Sequence, residues 1–184
     1  IENFKIMKIV VIGGHFTPAL AVINQLKNNE ILYIGRKYTL EGDMALSLEY
    51  REISELKVPF KSIVAARLQR KFTIFTIPSL LKIPIGFIQS IFILKKFKPN
   101  VVLGFGGYVE LPVIFAATIL RIPVVIHEQT LTSGLANKIA SRFAKKICIS
   151  WESSRVFFPK EKTILTGNPI RPEIKNAKEE ISKN

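Results

Sequence analysis

The sequence predicts an α/β fold in which a doubly wound parallel sheet is covered by helices. Short apolar runs rich in β-branched residues alternate with segments of helical pattern along most of the chain. The runs are continuously apolar, which is typical of strands that crossover helices bury on both faces. Two of them end in a glycine pair that leads into a helical segment with an early proline. With 184 residues, the chain has room for one domain of this kind.

Local signals predict the elements of the first half. Residues 8–12 read KIVVI, a β-branched run that favours a strand, and two glycines follow it. Thr17 is expected to cap the next helix, with Pro18 in its first turn, because a proline there loses no helical hydrogen bond. In order, we predict a strand at 8–12, a helix at 19–27, a strand at 31–34 and a helix at 41–50.

The second half repeats the pattern of strand and helix. An apolar run at 101–105 enters a second glycine pair, and Pro112 marks the start of the helix behind it. The elements expected here are strands at 101–105, 124–127 and 146–150, and helices at 111–120 and 134–143.

Unusual residues gather where three of the predicted strands end. In doubly wound sheets ligands bind beyond the carboxyl ends of the strands. Glycine allows close approach of the backbone, and the amides of a helix N-terminus attract anions. Either pair alone is as readily a tight turn, but two pairs at one sheet edge predict a phosphate or diphosphate site. The residues at these ends are Gly13, Gly14 and His15, then Gly106, Gly107 and Tyr108, then His127, Glu128, Gln129 and Thr130.

His15 is a candidate for chemistry at this edge. Its imidazole can serve as a general base on a hydroxyl or donate to a phosphate oxygen, and the alternative is a histidine that only completes a turn. A dinucleotide site is disfavoured because the GxGxxG spacing is absent and Arg36 and Lys37, not an acid, follow the second strand. With two histidines and a single Cys148, neither a metal site nor a disulfide framework is expected, and no cofactor is predicted.

The charge of the chain is concentrated in one stretch. It carries 27 basic and 14 acidic residues, a formal net charge of +13, yet 48% of it is hydrophobic. Disorder is excluded by this apolar content. Such a one-sign field favours a nucleic acid or an anionic membrane. No acid occurs from residue 57 to 109, where nine bases lie: Lys57, Lys61, Arg67, Arg70, Lys71, Lys82, Lys95, Lys96 and Lys98.

The residues between these bases favour the membrane. Residues 72–94 are mostly aliphatic and aromatic, unlike a nucleic-acid surface, which interleaves its bases with polar groups. A spanning helix is disfavoured by Lys82, Pro78 and Pro84 in the segment. Two interpretations stay open: a broken amphipathic surface that lies in the membrane interface, and an ordinary core helix over 85–97.

Three segments carry a family resemblance. They read GGHFTPALAVINQL from residue 13, then KPNVVLGFGGYVELPVIFAATILRIPVVIHEQTLTSGLANKIASRFAKKI from residue 98, then TGNPIRPEI from residue 166. Together and in this order, they resemble the N-terminal half of the MurG family, from about residue 8 to residue 174. The FGGY, IPVVIHEQ and GNPIRPEI motifs make the resemblance specific.

The resemblance implies the N-terminal half of a GT-B glycosyltransferase, in which two Rossmann-like domains face each other across a cleft. Residues 1–174 are then an acceptor and membrane-binding domain, and 175–184 a polar tail or the start of a linker. It further implies an inverting hexosyltransferase that moves GlcNAc from UDP-GlcNAc to lipid I, the undecaprenyl-diphosphate acceptor, and forms lipid II. This places the protein in peptidoglycan synthesis, cell wall biogenesis, cell shape and cell division, at the cytoplasmic face of the bacterial membrane and peripheral to it.

By position, the resemblance assigns roles to individual residues. His15 is the candidate base, and Gly13, Gly14, Thr130 and Arg171 are candidates for donor contacts. The acceptor and its diphosphate fall to Gly106, Gly107, Tyr108, His127, Glu128 and Gln129. The proposed membrane patch of the family corresponds to Arg67, Arg70, Lys71, Phe72, Phe75, Leu80, Leu81, Lys82, Phe87, Lys95 and Lys96.

The chain departs from the family in two motifs and in length. The first loop usually reads GGTGGH and is three residues shorter here, and Thr130 stands where the family has asparagine. A donor-binding domain would need more residues than the chain has. Two hypotheses follow: an enzyme that is incomplete as this chain, or a non-catalytic membrane-associated subunit that binds a polyprenyl-diphosphate sugar and needs a separate donor-binding partner.

Overall fold

The computed structural model of the chain describes residues 6–39, 45–65 and 76–171. The strands within these ranges are β1 (Lys8–Ile12), β2 (Glu30–Gly35), β3 (Phe60–Ser62), β4 (Val101–Gly104), β5 (Val124–Glu128), β6 (Lys146–Ile149) and β7 (Thr163–Leu165). The helices are α1 (Phe16–Gln25), α2 (Leu48–Glu55), α3 (Thr76–Phe97), α4 (Glu110–Ile119) and α5 (Leu135–Ala140), with 3₁₀ turns at Glu152–Phe157 and Lys160–Lys162.

The strands form one sheet in the order β3-β2-β1-β4-β5-β6-β7, and every pair in it is parallel. In the register, Val10 of β1 lies opposite Leu32 on one side and Val102 on the other. The strand order therefore reverses between β1 and β4, which is the point where such sheets open a crevice for ligands. The predicted doubly wound parallel fold is confirmed.

Alternate residues of β1 belong to two separate cores. Val10 and Ile12 pack with residues of α3, α4 and α5 on one face of the sheet. Ile9 and Val11 pack with α1 and with Ile53 of α2 on the other face. Because both faces of the central strand are buried, β1 is apolar without alternation, as the sequence predicted.

The start of α1 differs from the prediction. The helix begins at Phe16, so His15 and not Thr17 occupies the cap position. The His15 backbone N–H donates to the Phe105 carbonyl oxygen at 3.2 Å, and this bond to the end of β4 fixes where the turn stops. Pro18 lies in the first turn, as expected, where its missing N–H costs no helical hydrogen bond.

The start of α2 was also misplaced. Residues 41–44 of the predicted helix 41–50 lie outside the described residues, and the part from 45 to 47 is not helical. Leu46 instead forms an antiparallel bridge with Tyr38, and the Ser47 hydroxyl accepts the Tyr50 N–H at 3.2 Å to cap a helix that starts at Leu48. A serine that accepts a backbone N–H of the first turn stabilises the start of a helix, so Ser47 marks where α2 begins.

Two edge strands and the part of α3 before residue 85 were not predicted. β3 and β7 have three residues each and lack a long apolar run, so their sequences show no pattern that predicts a strand. α3 has 22 residues and contains Pro84. Within the part of the chain that the structure describes, no helix combines the length and hydropathy needed to cross a membrane.

Candidate functional site

Two glycine loops touch at the reversal point of the sheet. One runs from Gly13 to His15 behind β1, and the other from Gly106 to Tyr108 behind β4. A Cβ atom on Gly14 would collide with the carbonyl group of Gly106, so only glycine lets the loops approach this closely. Gly106 and Gly107 have φ of +81° and +83°, a conformation that other residues rarely adopt. The glycine pairs thus allow the two loops to pack closely against each other.

Several backbone donors in these loops are unpaired. Within the described part of the chain, the N–H groups of Gly14, Gly107 and Tyr108 donate to no acceptor. The loops lead directly into α1 and α4, whose N-termini carry partial positive charge. Unpaired donors beside two helix N-termini are suited to a phosphate or another anion.

A cleft of about 280 Å³ opens beside the loops. One wall holds His15, Gly106, Gly107 and Tyr108, and the opposite wall is formed by Glu128, Thr130 and the start of α5. Six predicted site residues therefore share one cleft. The wall from α5 includes Gly134, Leu135, Ala136 and Asn137, which the sequence analysis did not assign.

His15 is exposed at this cleft. Its Cδ2 atom lies 3.3 Å from the position that a Cβ on Gly106 would occupy, so the ring rests against the second glycine loop. Neither imidazole nitrogen of His15 has a hydrogen-bond partner among the described residues. An imidazole that is not engaged elsewhere is free to exchange a proton with a ligand.

Glu128 organises the opposite wall. Its Oε1 atom accepts the N–H and the hydroxyl of Thr130 at 3.0 and 2.6 Å, and its Oε2 atom accepts Gly134 N–H and Asn137 Nδ2 at 3.1 and 2.9 Å. Burial pushes the pKa of Glu128 upward, but these four bonds outweigh it and hold the pKa below its ordinary value. The charged carboxylate therefore fixes the loop that leads from β5 to α5.

A second acid, Glu110, lies behind the cleft. It is fully buried at the start of α4, against Gly104, and neither carboxyl oxygen has a hydrogen-bond partner among the described residues. Burial, followed by the negative charge of Glu128, raises the pKa of Glu110 to about 8, although the nearby backbone N–H of Gly106 opposes the shift. Sequence reasoning missed this residue because an acid in the first turn of a helix usually faces solvent. Its one signal is that it ends the acid-free stretch.

Residues 12–149 match the model of the glycosyltransferase family 28 N-terminal domain. The chain belongs to this family. The match covers both glycine loops and the cleft between them.

Curated relatives confirm the resemblance to the MurG family. A protein of Halalkalibacterium halodurans is 38% identical over 182 residues, which are 95% of this chain and 48% of the relative. A protein of Thermoanaerobacter sp. is 42% identical over 178 residues, 94% of this chain and 47% of the relative. Both are named UDP-N-acetylglucosamine--N-acetylmuramyl-(pentapeptide) pyrophosphoryl-undecaprenol N-acetylglucosamine transferase. The chain spans about half the length of these curated relatives.

Solved structures agree with the fold. Acinetobacter baumannii MurG superposes with a TM-score of 0.68 at 28% identity, over 88% of this chain and 46% of that one. A UDP-N-acetylglucosamine 2-epimerase from Rickettsia bellii gives a TM-score of 0.66 at 17% identity, over 98% of this chain and 50% of that one. At that identity the epimerase shows only that the fold is shared. The predicted Rossmann-like half of a GT-B enzyme is confirmed.

Two predicted acceptor residues of the family 28 domain do not line this cleft. His127 lies within hydrogen-bond distance of Gln129 Oε1 (3.3 Å) and the Gly167 carbonyl oxygen (3.1 Å), and Gln129 donates to the Phe105 carbonyl oxygen at 3.2 Å. Successive side chains of a strand point to opposite faces, so His127 faces away when Glu128 faces the cleft. In this arrangement both residues support the backbone around the loops.

Of the predicted donor residues, Gly14 lies at the contact of the two loops and does not line the cleft, and two others also lie off it. Gly13 donates its N–H to the Ile34 carbonyl oxygen at 2.7 Å and packs against the side chains of Tyr33 and Glu49. Arg171, at the end of the described residues, has a buried Nε atom without a hydrogen-bond partner among them. Neither lines the cleft, so donor contacts by them stay a prediction.

The membrane patch predicted from the sequence is described only in part. Arg67, Arg70, Lys71, Phe72 and Phe75 lie outside the described residues. Leu80, Leu81 and Lys82 lie in the first half of α3.

The described half of α3 has a buried and an exposed side. Leu94 is buried in the core, whereas Ile85, Ile88 and Phe92 are 49%, 53% and 69% exposed. Their spacing places these three on one face of the helix, and the exposed Lys95 and Lys96 follow in its last turn. The helix therefore packs on the core on one side, as the core-helix interpretation expected, and presents apolar side chains on the other, whose place in a membrane interface stays a prediction.

A wholly apolar groove lies beside this helix. It has a volume of about 540 Å³ and separates α3 from α4 and from Phe143. Phe87, which the sequence analysis placed in the membrane patch, lines this groove with Ile83, Phe115 and Ile119. An apolar groove next to an exposed apolar helix face forms a continuous apolar patch, which is typical of a surface that contacts a membrane or another molecule.

Proposed function

We propose that this domain is the acceptor half of a peptidoglycan glycosyltransferase. It binds lipid I, whose undecaprenyl diphosphate carries MurNAc-pentapeptide, and presents it for transfer of GlcNAc from UDP-GlcNAc. The observation that carries this proposal is the contact of the two glycine loops around the cleft, with unpaired N–H groups on Gly14, Gly107 and Tyr108 and a free imidazole on His15. The names of the relatives supply the sugar and the lipid of this proposal.

The unpaired amides provide the diphosphate site. Phosphate oxygens accept hydrogen bonds from the loops, and the N-termini of α1 and α4 add favourable dipoles. The cleft beyond them, between Tyr108 and the start of α5, leaves room for the sugar of the acceptor. This arrangement holds the acceptor by its charged group and directs its sugar toward His15.

His15 serves as the general base in the proposed reaction. Its imidazole takes the proton from the MurNAc 4-hydroxyl as that oxygen attacks the anomeric carbon of GlcNAc. The new glycosidic bond forms while the bond to the β-phosphate breaks, UDP leaves with the electron pair, and the configuration inverts. A positioned base typically contributes about 10²- to 10⁴-fold to such a step.

In this proposal, most of the UDP-GlcNAc site lies in the half of the relatives that this chain does not match. Gly13, Gly14, Thr130 and Arg171 add contacts to UDP-GlcNAc from this side. We expect the 184-residue chain alone to give no measurable GlcNAc transfer to lipid I, and transfer to appear when the donor-binding half of a MurG relative is joined to it. Radiolabelled UDP-GlcNAc with lipid I in detergent measures both. Robust turnover by the chain alone contradicts the incomplete-enzyme proposal.

A non-catalytic binding subunit is the second candidate. It would hold the diphosphate of lipid I on the same unpaired N–H groups of Gly14, Gly107 and Tyr108 without taking part in transfer. The same experiment separates the two functions. Binding of lipid I without transfer, even with a donor half supplied, supports the binding subunit, whereas transfer by the joined protein supports the enzyme.

We further propose that the exposed face of α3 rests on the cytoplasmic surface of the bacterial membrane, with the protein peripheral to it. Ile85, Ile88 and Phe92 enter the interface, and Lys95 and Lys96 meet anionic headgroups. This position brings the domain close to the diphosphate of a lipid whose tail stays in the bilayer.

Charge reversal on α3 tests this surface. Lys95→Glu with Lys96→Glu should weaken binding to phosphatidylglycerol vesicles by about 1 kcal/mol per lost base, and more at low salt. The matched control is Lys27→Glu with Lys160→Glu, two exposed lysines outside the acid-free stretch. Cosedimentation measures the partition. Equal losses in both variants, or no loss in either, contradict a membrane-facing α3.

A further inference from the structure

Arg36 lies at the same sheet edge as the glycine loops, outside every assignment made above. It follows β2, the strand that pairs with β1, so it leaves the sheet next to Gly13. Its guanidinium carbon lies 5.5 Å from the centre of the Tyr108 ring, and Tyr108 lines the cleft. Lys37 differs, because its ammonium group lies over Tyr38 and Tyr50. Arg36 is therefore the basic residue of this pair that reaches the second glycine loop.

Arg36 is held in place from two sides. Its backbone N–H donates to Glu49 Oε1 at 2.6 Å, and the other oxygen of the buried Glu49 accepts the Tyr33 hydroxyl at 2.9 Å. Gly13 packs directly against Tyr33 and Glu49. Arg36 is thus tied to the first glycine loop through Glu49 and to the second through the face of Tyr108.

Most of the hydrogen-bonding capacity of the guanidinium is left over. Its Nε atom is 3.7 Å from Glu49 Oε1, too far for a hydrogen bond, and Nη1 reaches the Thr39 carbonyl oxygen only at 3.4 Å. Nη2 donates to none of the described residues, and the side chain is 41% exposed. The planar fork that arginine offers to phosphate oxygens is therefore available.

We propose that Arg36 is a phosphate-binding residue that completes the diphosphate site of the two glycine loops. The guanidinium, whose charge Glu49 balances in part through an ion pair at 3.7 Å, adds a cation beside the unpaired amides of Gly14, Gly107 and Tyr108. The inference deepens the proposed function and depends on it for the identity of the ligand. Its chemistry, a diphosphate at this edge, comes either from a nucleotide or from a prenyl lipid.

The test measures diphosphate binding by the 184-residue chain. Inorganic pyrophosphate, UDP and farnesyl diphosphate are titrated by calorimetry into the wild type, Arg36→Met and Arg36→Lys. Loss of a charge-assisted hydrogen bond should raise the dissociation constant of pyrophosphate about tenfold or more in Arg36→Met. Arg36→Lys keeps the charge but not the fork, so we expect an intermediate value. Arg142→Met, an exposed arginine at the other end of the sheet, is the matched control and should bind as the wild type does.

Each outcome decides the proposal. A loss limited to UDP assigns Arg36 to the donor, and a loss limited to farnesyl diphosphate assigns it to the acceptor. Wild-type affinity in Arg36→Met, equal losses in Arg36→Met and Arg142→Met, or no binding by the wild type overturns it. If Arg36→Met is less stable by thermal unfolding, Arg36→Lys decides in its place. Because no transfer is measured, a failure of the glycosyltransferase proposal leaves this result interpretable.

Discussion

Replacing His15 by alanine is expected to lower the rate of GlcNAc transfer about 10²- to 10⁴-fold in the chain joined to a donor-binding half. The imidazole is exposed at the cleft, rests against the second glycine loop and has no hydrogen-bond partner among the described residues. The variant keeps the cleft and the amides but loses the group that accepts the proton. Initial rates at saturating UDP-GlcNAc measure the effect, which should fall on kcat more than on KM.

Two controls make this result specific. His15→Gln keeps a hydrogen-bonding side chain but no base in the relevant pH range, so it should be as slow as the alanine variant if proton transfer is the role. Vesicle binding should be unchanged in both variants, because His15 lies outside α3 and its replacement changes no charge on that helix. An unaltered rate in the alanine variant removes His15 from the mechanism.

The largest effect on stability is expected at Glu110. Its pKa is raised to about 8 in the folded protein because the carboxyl is fully buried beside Glu128. An acid whose pKa is higher in the folded state holds a proton there that the unfolded chain has released. The folded state is therefore favoured at low pH, and this advantage is lost as the pH rises from the ordinary value of 4.5 to about 8.

The change Glu110→Gln should remove this pH dependence. The free energy of unfolding of the wild type, relative to the variant, should fall by a few kcal/mol between pH 4.5 and pH 8. A buried amide without partners has a cost of its own, about 1 to 3 kcal/mol, but it is the same at every pH and leaves the slope intact. Urea unfolding across the pH series measures the difference.

The control for Glu110 is a carboxyl removed from the surface. Glu161→Gln makes the same chemical change at an exposed position in the second 3₁₀ turn. It should follow the wild type across the series. Parallel curves for Glu110→Gln and the wild type contradict a proton held on Glu110.

Elements with strong local signals were predictable from the sequence. The bounds of β1 agree with the prediction because KIVVI is β-branched and ends at glycines. The start of α1 did not agree with the prediction. It depends on the hydrogen bond from the His15 N–H to the Phe105 carbonyl oxygen, and a bond between residues so far apart in the chain leaves no local signal. β3 and β7 are edge strands of three residues, for which partners across the sheet matter more than their own sequence.

The cleft was predictable only in outline. The glycine pairs and His15 follow strands whose ends must meet at one sheet edge, so topology alone brings them together. Glu110, Asn137 and Arg36 were missed because burial and orientation decide their roles, and neither is written in the local sequence. The opposite orientations of His127 and Glu128 could have been predicted, because successive side chains of a strand point to opposite faces of the sheet.

The pairing of β1 with β4 also governs how the protein acquires its cleft. The Lys8 N–H donates to the Asn100 side chain at 2.8 Å across a separation of 92 residues. Contacts between such distant segments form only after a large loss of chain entropy, and parallel sheets consequently fold slowly. Neither glycine loop has its partner until this long loop closes. Ligand binding therefore reports that β1 and β4 have paired, and a nascent chain that ends before β4 holds no part of the second loop.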